Sequence, residues 1–154
     1  MKRLKFFENA KLLFDRFGII PLMYGSLGLE YITGEALGAD DVDILIPEVF
    51  VKGRWGEISD FLSGEGYVLT DEHEHTFEKY GISFSYASIE ELESFAGIKI
   101  SDIEERSDSG ARFGVLNLEQ YLKVYRASAK DGYRITVREK KDNEKIAFIE
   151  ERMR

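Results

Sequence analysis

The run Asp41-Val42-Asp43-Ile44-Leu45-Ile46-Pro47 decides how this chain is read. It alternates polar and apolar residues at first, becomes wholly apolar and stops at a proline, the pattern of a strand with one end at a functional rim. Side chains at i and i+2 of a strand share a face, so Asp41 and Asp43 are expected to project together, and such a pair suits Mg²⁺. Upstream, Leu22-Met23-Tyr24-Gly25-Ser26-Leu27-Gly28 is an apolar stretch ending in a Gly-Ser turn. A turn of that kind at the start of a helix can set backbone N–H groups against a phosphate. A phosphate cradle followed by a carboxylate pair points to nucleotide-dependent phosphoryl transfer.

Working outward, Phe6, Ala10, Leu13 and Phe17 recur at helical spacing and predict a first helix ending near Gly18. Ile19 to Tyr24 reads as a buried strand, and Ser26 as the cap of a helix running through Tyr31. Gly34 and Gly38 loosen the chain before the acidic strand. Trp55, Ile58, Phe61 and Leu62 form another helical stripe, closed by Gly64-Glu65-Gly66. Tyr67–Thr70, Thr76–Tyr80 and Ile82–Tyr86 read as a meander of strands. Ser88-Ile89-Glu90-Glu91 and Asn117-Leu118-Glu119-Gln120 each match a capping box that opens a helix. Ser101 to Gly110 reads as a polar loop, and Lys140-Lys141-Asp142 as the lead-in to a last helix carrying Ile146, Ile149 and Met153.

The 154 residues suffice for one core domain with a helical appendage, burying about two thirds of the unfolded surface. We expect residues 1–100 to form the core and 101–154 a C-terminal strand and helical part packed on it as a single compact unit. A net charge of −8 repels nucleic acid and anionic membrane on average, which disfavours a long polynucleotide partner. With no cysteine the chain has neither a disulfide scaffold nor a thiolate site. No apolar run approaches the roughly 18 residues of a membrane span and no signal-peptide core follows the basic start, so a cytoplasmic location is expected.

Gly25-Ser26, a gap from Leu27 to Asp40, and Asp41-Val42-Asp43-Ile44 together resemble the signature of the DNA polymerase beta type nucleotidyltransferase superfamily. Arg112 to Lys123, and the closing Lys141-Asp142 with Lys145-Ile146, are similar to segments of its small bacterial members. The resemblance implies an α+β fold, a mixed β-sheet flanked by helices with a short C-terminal helical part closing one wall of a cleft. It further implies transfer of a nucleoside monophosphate from an NTP to a hydroxyl of a small molecule or protein. Asp41 and Asp43 then hold Mg²⁺, Gly25 and Ser26 bind the terminal phosphates, and Lys123 or Arg126 supplies a cation for the released pyrophosphate.

Catalytic members also carry a third acid on a later strand. The strand expected to supply it here has Ser83 and Ser85 in the corresponding positions, with Glu74 and Glu78 as possible substitutes on its neighbour. Serine neither holds Mg²⁺ strongly nor takes a proton at neutral pH. The alternative is therefore a degenerate module of the same fold that binds a nucleotide or a protein partner, of toxin–antitoxin type, without transfer. Glu72-His73-Glu74-His75 is a weaker constellation: on a strand its imidazoles face one way and its carboxylates the other, which reads as a solvated edge.

Overall fold

The computed structural model describes residues 1–130 and 137–154 of the chain. Alternation and helical periodicity sort the sequence into a seven-stranded sheet with helices on both faces. The first helix α1 (Lys2–Phe17) ends at Gly18, whose left-handed backbone caps the carbonyls of Leu13 and Phe14. Strand β1 (Leu22–Tyr24) runs directly into α2 (Gly25–Thr33), and after a loop comes β2 (Val42–Ile46). That loop is tied to α2 by Glu30, whose Oε2 accepts from the N–H groups of Leu37 and Ala39 at 2.6 and 3.1 Å. Next come α3 (Trp55–Gly64), then β3 (Val68–Asp71), β4 (Thr76–Lys79) and β5 (Ile82–Ser88), the expected meander. The remainder is α4 (Glu91–Ala96), β6 (Glu104–Asp108), β7 (Ala111–Val115), α5 (Leu118–Lys130) and α6 (Val137–Arg152).

The strand order is β3-β4-β5-β2-β1-β7-β6, a mixed sheet. β2 lies at its centre, antiparallel to β1 and parallel to β5, while β7 runs parallel to β1. One face, bearing Met23, Ile44, Phe84 and Phe113, is sealed by Phe6, Ala10 and Leu13 of α1 and by Ile58 and Leu62 of α3. The other face packs Leu22 and Leu45 against Leu92 of α4, Tyr121 and Val124 of α5 and Ile149 of α6. The α+β architecture with a mixed, helix-flanked sheet is as expected from the sequence.

Several local expectations need correction. Ser101 to Gly110 is no loop throughout: Glu104–Asp108 forms an edge strand paired with β7, its outward charges being what an edge tolerates. The first strand is only Leu22–Tyr24, since Pro21 offers no N–H to a ladder. Ser26 is not a cap: Tyr24 holds that place, and Ser26 lies inside the first turn. Ser88 is the last residue of β5, buried with no partner for its hydroxyl among the described residues; Glu90 instead accepts from the Glu48 N–H at 2.8 Å. The second capping box forms reciprocally, Asn117 N–H to Gln120 at 2.9 Å and Gln120 N–H to Asn117 at 2.8 Å. Glu72 to His75 is the β3–β4 hairpin turn, where His75 takes a positive φ and its ring lies 4.1 Å from that of Trp55. Lys141 and Asp142 lie within α6 and not ahead of it.

Candidate functional site

The junction of β1 and α2 is built around two glycines. Gly25 adopts φ +65°, and a Cβ there would sit 2.6 Å from Oδ2 of Asp43, so the carboxylate rests directly on the glycine backbone. A Cβ on Gly28 would meet the Tyr121 hydroxyl at 2.1 Å and the Met23 carbonyl at 2.3 Å. That close approach lets α5 dock on the first turn of α2, where Tyr121 donates to the Gly25 carbonyl at 3.0 Å. Burial first, and then Tyr125, Tyr24 and Asp43, push the Tyr121 phenol well above its ordinary range, so it remains a neutral donor. The nine-residue α2 has no side-chain cap, and the N–H groups of its first turn carry partial positive charge beside Asp43.

Asp43 stands on the less covered face of β2. Its register partners are Tyr24 on β1 and Ser85 on β5, and cross-strand partners share a face. Tyr24, Gly25, Ser26 and Asp43 form one wall of a cavity of about 260 Å³. Tyr121, Tyr125 and Ser128 of α5 and Asp142 of α6 form the other. Two larger cavities meet this one at Phe95, a half-exposed ring on α4. One, about 460 Å³, is apolar, with Tyr24, Leu45, Ala87 and Leu92 in its lining. The other, about 630 Å³, carries Lys123, Arg126 and Lys130. Although the smallest of the three, the cavity at Asp43 is where charge, a helix start and a glycine turn converge.

The sequence-derived candidates therefore divide. Gly25, Ser26 and Asp43 come together in one cavity. Asp41 lies just before β2, exposed at a bend, and does not line that cavity. Lys123 and Arg126 line the neighbouring basic groove, where Arg126 also pairs with Glu150 at 3.3 Å. Ser85, in register with Asp43, shares a 2.9 Å hydrogen bond with the Thr76 hydroxyl. Glu78 is cross-strand from Ser83, on the same face as Asp43 but two strand spacings away, roughly 10 Å. Glu74 sits exposed in the hairpin turn, its N–H bonded to Asp71 at 3.1 Å.

Sequence reasoning missed Asp142, which is only 5% exposed and accepts from the Ser128 hydroxyl at 2.7 Å. A signal was present: Asp142, Ile146 and Ile149 recur at i, i+4 and i+7, so extending the last helix backwards puts Asp142 on its inward stripe.

No family model matches the chain. It is 37% identical over 150 residues, covering 97% of this chain and 96% of the relative, to the uncharacterized protein YnaI of Bacillus subtilis (strain 168). Among solved structures it resembles the solution structure of the antibiotic-resistance factor ANT(2'')-Ia, with a TM-score of 0.55 at 14% identity over 99% of this chain and 92% of that one. The crystal structure of ANT(2'')-Ia in complex with adenylyl-2''-tobramycin gives a TM-score of 0.53 at 11% identity over 100% of both chains. At these identities the likeness shows the fold, which is nucleotidyltransferase-like.

Proposed function

We propose that this chain, which belongs to the family of the Bacillus subtilis protein YnaI, transfers a nucleoside monophosphate from an NTP to a hydroxyl of a small molecule. The observation that carries the reading is the Asp43 carboxylate resting on Gly25 at the uncapped start of α2, inside a cavity of a nucleotidyltransferase-like fold. The solved structure with bound adenylyl-2''-tobramycin, a nucleotide joined to a small molecule, supports both the reaction class and the kind of acceptor. Placement in the DNA polymerase beta type superfamily is part of the same proposal.

Each element has a physical part. The N–H groups of Gly25, Ser26 and Leu27 and the Ser26 hydroxyl bind phosphate oxygens at the positive end of α2. The apolar cavity beside Leu45 and Ala87 has room for a base, and the groove with Lys123 and Arg126 attracts the leaving pyrophosphate. Mg²⁺ binds through one or two carboxylates plus substrate phosphates; Asp43 in the cavity would hold it, and Asp41, exposed at the strand entrance just outside that lining, would be the second carboxylate. Among the described residues no group of three His, Cys, Asp or Glu could hold a metal ion, and in this reading substrate phosphate oxygens would supply the remaining ligands. When bound, the ion would neutralise charge developing on the transferring phosphoryl group.

The test offers each of the four NTPs, labelled at the α-phosphate, with Mg²⁺ to tobramycin and to the small-molecule fraction of a bacterial extract. Transfer of label that Asp43→Asn abolishes supports the reading. Mg²⁺-dependent NTP binding without transfer by the wild type supports a second reading, a degenerate nucleotide-binding module. Ser85 opposite Asp43 favours that second reading, because among the described residues the strands beside Asp43 place Tyr24 and Ser85, not a carboxylate, in register with it.

A further inference from the structure

We infer that Asp142, supplied by α6, is the proton acceptor for the attacking hydroxyl. The inference rests on the nucleotidyl-transfer reading above and names the group that the sheet does not provide. General-base assistance to the attacking hydroxyl needs a proton acceptor on the acceptor side of Asp43, yet Ser85 occupies the paired position on β5 and is engaged with Thr76. The opposite wall of the same 260 Å³ cavity holds Asp142.

Its burial calls for an explanation. Asp142 as a whole residue is only 5% exposed, and a carboxylate so placed is costly unless it is paired, hydrogen-bonded or open to a water-filled cavity. The hydrogen bond that the structure gives it comes from the neutral Ser128 hydroxyl at 2.7 Å, to Oδ2, and no ion pair to it occurs among the described residues. A tie between α5 and α6 could be made by an amide without that cost. Oδ1 has no hydrogen bond among the described residues, on a residue that faces the turn binding the phosphates and the strand carrying Asp43.

The acceptor oxygen forms a bond to the α-phosphorus while the bond from that phosphorus to its bridging oxygen breaks, the electron pair leaving with pyrophosphate. The hydroxyl proton passes to Asp142 and from there to solvent. Ser128 is a positioning residue, fixing the carboxylate rotamer through Oδ2. The chain thus replaces a strand-borne acid with one carried by a C-terminal helix.

The experiment pairs single-turnover transfer from α-labelled NTP with calorimetric binding of an α,β-methylene NTP plus Mg²⁺, using the full chain and the acceptors above. In Asp142→Asn, transfer should fall about 10²- to 10⁴-fold while the dissociation constant of the analogue stays within about twofold. Asp142→Glu should recover part of the lost transfer. Unchanged transfer in Asp142→Asn overturns the proton role and leaves the nucleotidyltransferase reading standing. Loss of analogue binding in a variant that keeps the wild-type melting curve overturns it too, since the residue would then belong to the nucleotide site. If Asp142→Asn does not fold, Ser128→Ala substitutes: reduced transfer with intact analogue binding supports the inference, and unaltered transfer overturns it. A wild type that binds no NTP sinks the parent reading and the inference with it.

Discussion

The two faces of the sheet are built from the same strands and do opposite things. On β5, Ile82, Phe84 and Tyr86 are buried toward α1 and α3, while Ser83, Ser85 and Ala87, alternating with them, are half-buried on the side of Asp43. The first face is dry and aromatic: Phe6 meets Phe113 edge-on at 5.6 Å and Tyr67 meets Phe84 at 5.2 Å. The second is covered only in part by α4, α5 and α6, which leave three cavities meeting at Phe95. One face thus supplies cohesion and the other supplies chemistry, and residues adjacent in sequence answer to different demands.

The sharpest way to break that contrast uses two neighbours. Phe84→Asp removes a ring with no exposed surface and buries a charge against Tyr67 and across from Phe77. Loss of the ring alone costs about 3–5 kcal/mol and the unpaired carboxylate adds more, enough to unfold a domain whose whole stability is about 5–15 kcal/mol. Ser85→Asp, one residue on, replaces a half-buried hydroxyl on the open face; losing the Thr76 bond and facing Asp43 should cost about 1–2 kcal/mol, well short of unfolding. Circular dichroism and urea melts of the two variants check this. Equal destabilisation would mean that both faces are closed core.

Gly25→Ala tests the open face at its tightest point. The backbone there is left-handed and the new methyl would lie 2.6 Å from Asp43 Oδ2, so either the turn or the carboxylate must move. We expect a loss of about 1–3 kcal/mol in stability from the strained backbone, together with loss of Mg²⁺-dependent nucleotide binding. Calorimetry against an NTP analogue and a thermal melt read both. Unimpaired binding would show that the carboxylate's seat on the glycine is incidental.

Much of this organisation was legible beforehand, and what was not has physical causes. Alternation along Ile82 to Tyr86 and the glycine before Ser26 fixed the strand, its inward face and the turn, because both signals are local. The strand at Glu104 to Asp108 escaped notice because an edge strand with charges outward has the composition of a loop. The hairpin turn at Glu72 to His75 alternates like a strand but closes through a left-handed residue that composition does not reveal. Convergence of Asp142 with Asp43 depends on how two distant helices dock on the sheet, and the charged residues around position 142 mask its inward place on the helical stripe.

Both faces also hold phenols kept neutral by burial, which gives the comparison a pH axis. Burial raises Tyr67 to about 12 and lifts Tyr86 well above its usual value on the closed face, as it does Tyr121 on the other. A pKa raised on folding means that folding favours the protonated phenol. The contribution is fully present below the unfolded value of about 10 and is lost as pH climbs through the folded value. Unfolding free energy from urea titrations should therefore hold steady up to about pH 9 and fall between about 10 and 12. Tyr67→Phe should make that fall shallower, and an unchanged profile would count against its buried phenol as a source.

The smallest expected effect decides how local the chemistry is. Glu78 shares the open face with Asp43 and was, with Glu74, a possible substitute for a third acid, but it lies across from Ser83 on the far side of β5. Two strand spacings of roughly 10 Å exceed the reach of a shared Mg²⁺, whose ligands stand at about 2.1 Å. Its side chain is exposed, so neutralising it costs the fold little. Glu78→Gln should leave the melting temperature unchanged and single-turnover transfer within about twofold of wild type, while transfer in Asp142→Asn falls by orders of magnitude. A large drop in Glu78→Gln would mean that the outer strands bend over Asp43 when nucleotide binds, and the acid completing the site would then belong to the sheet after all.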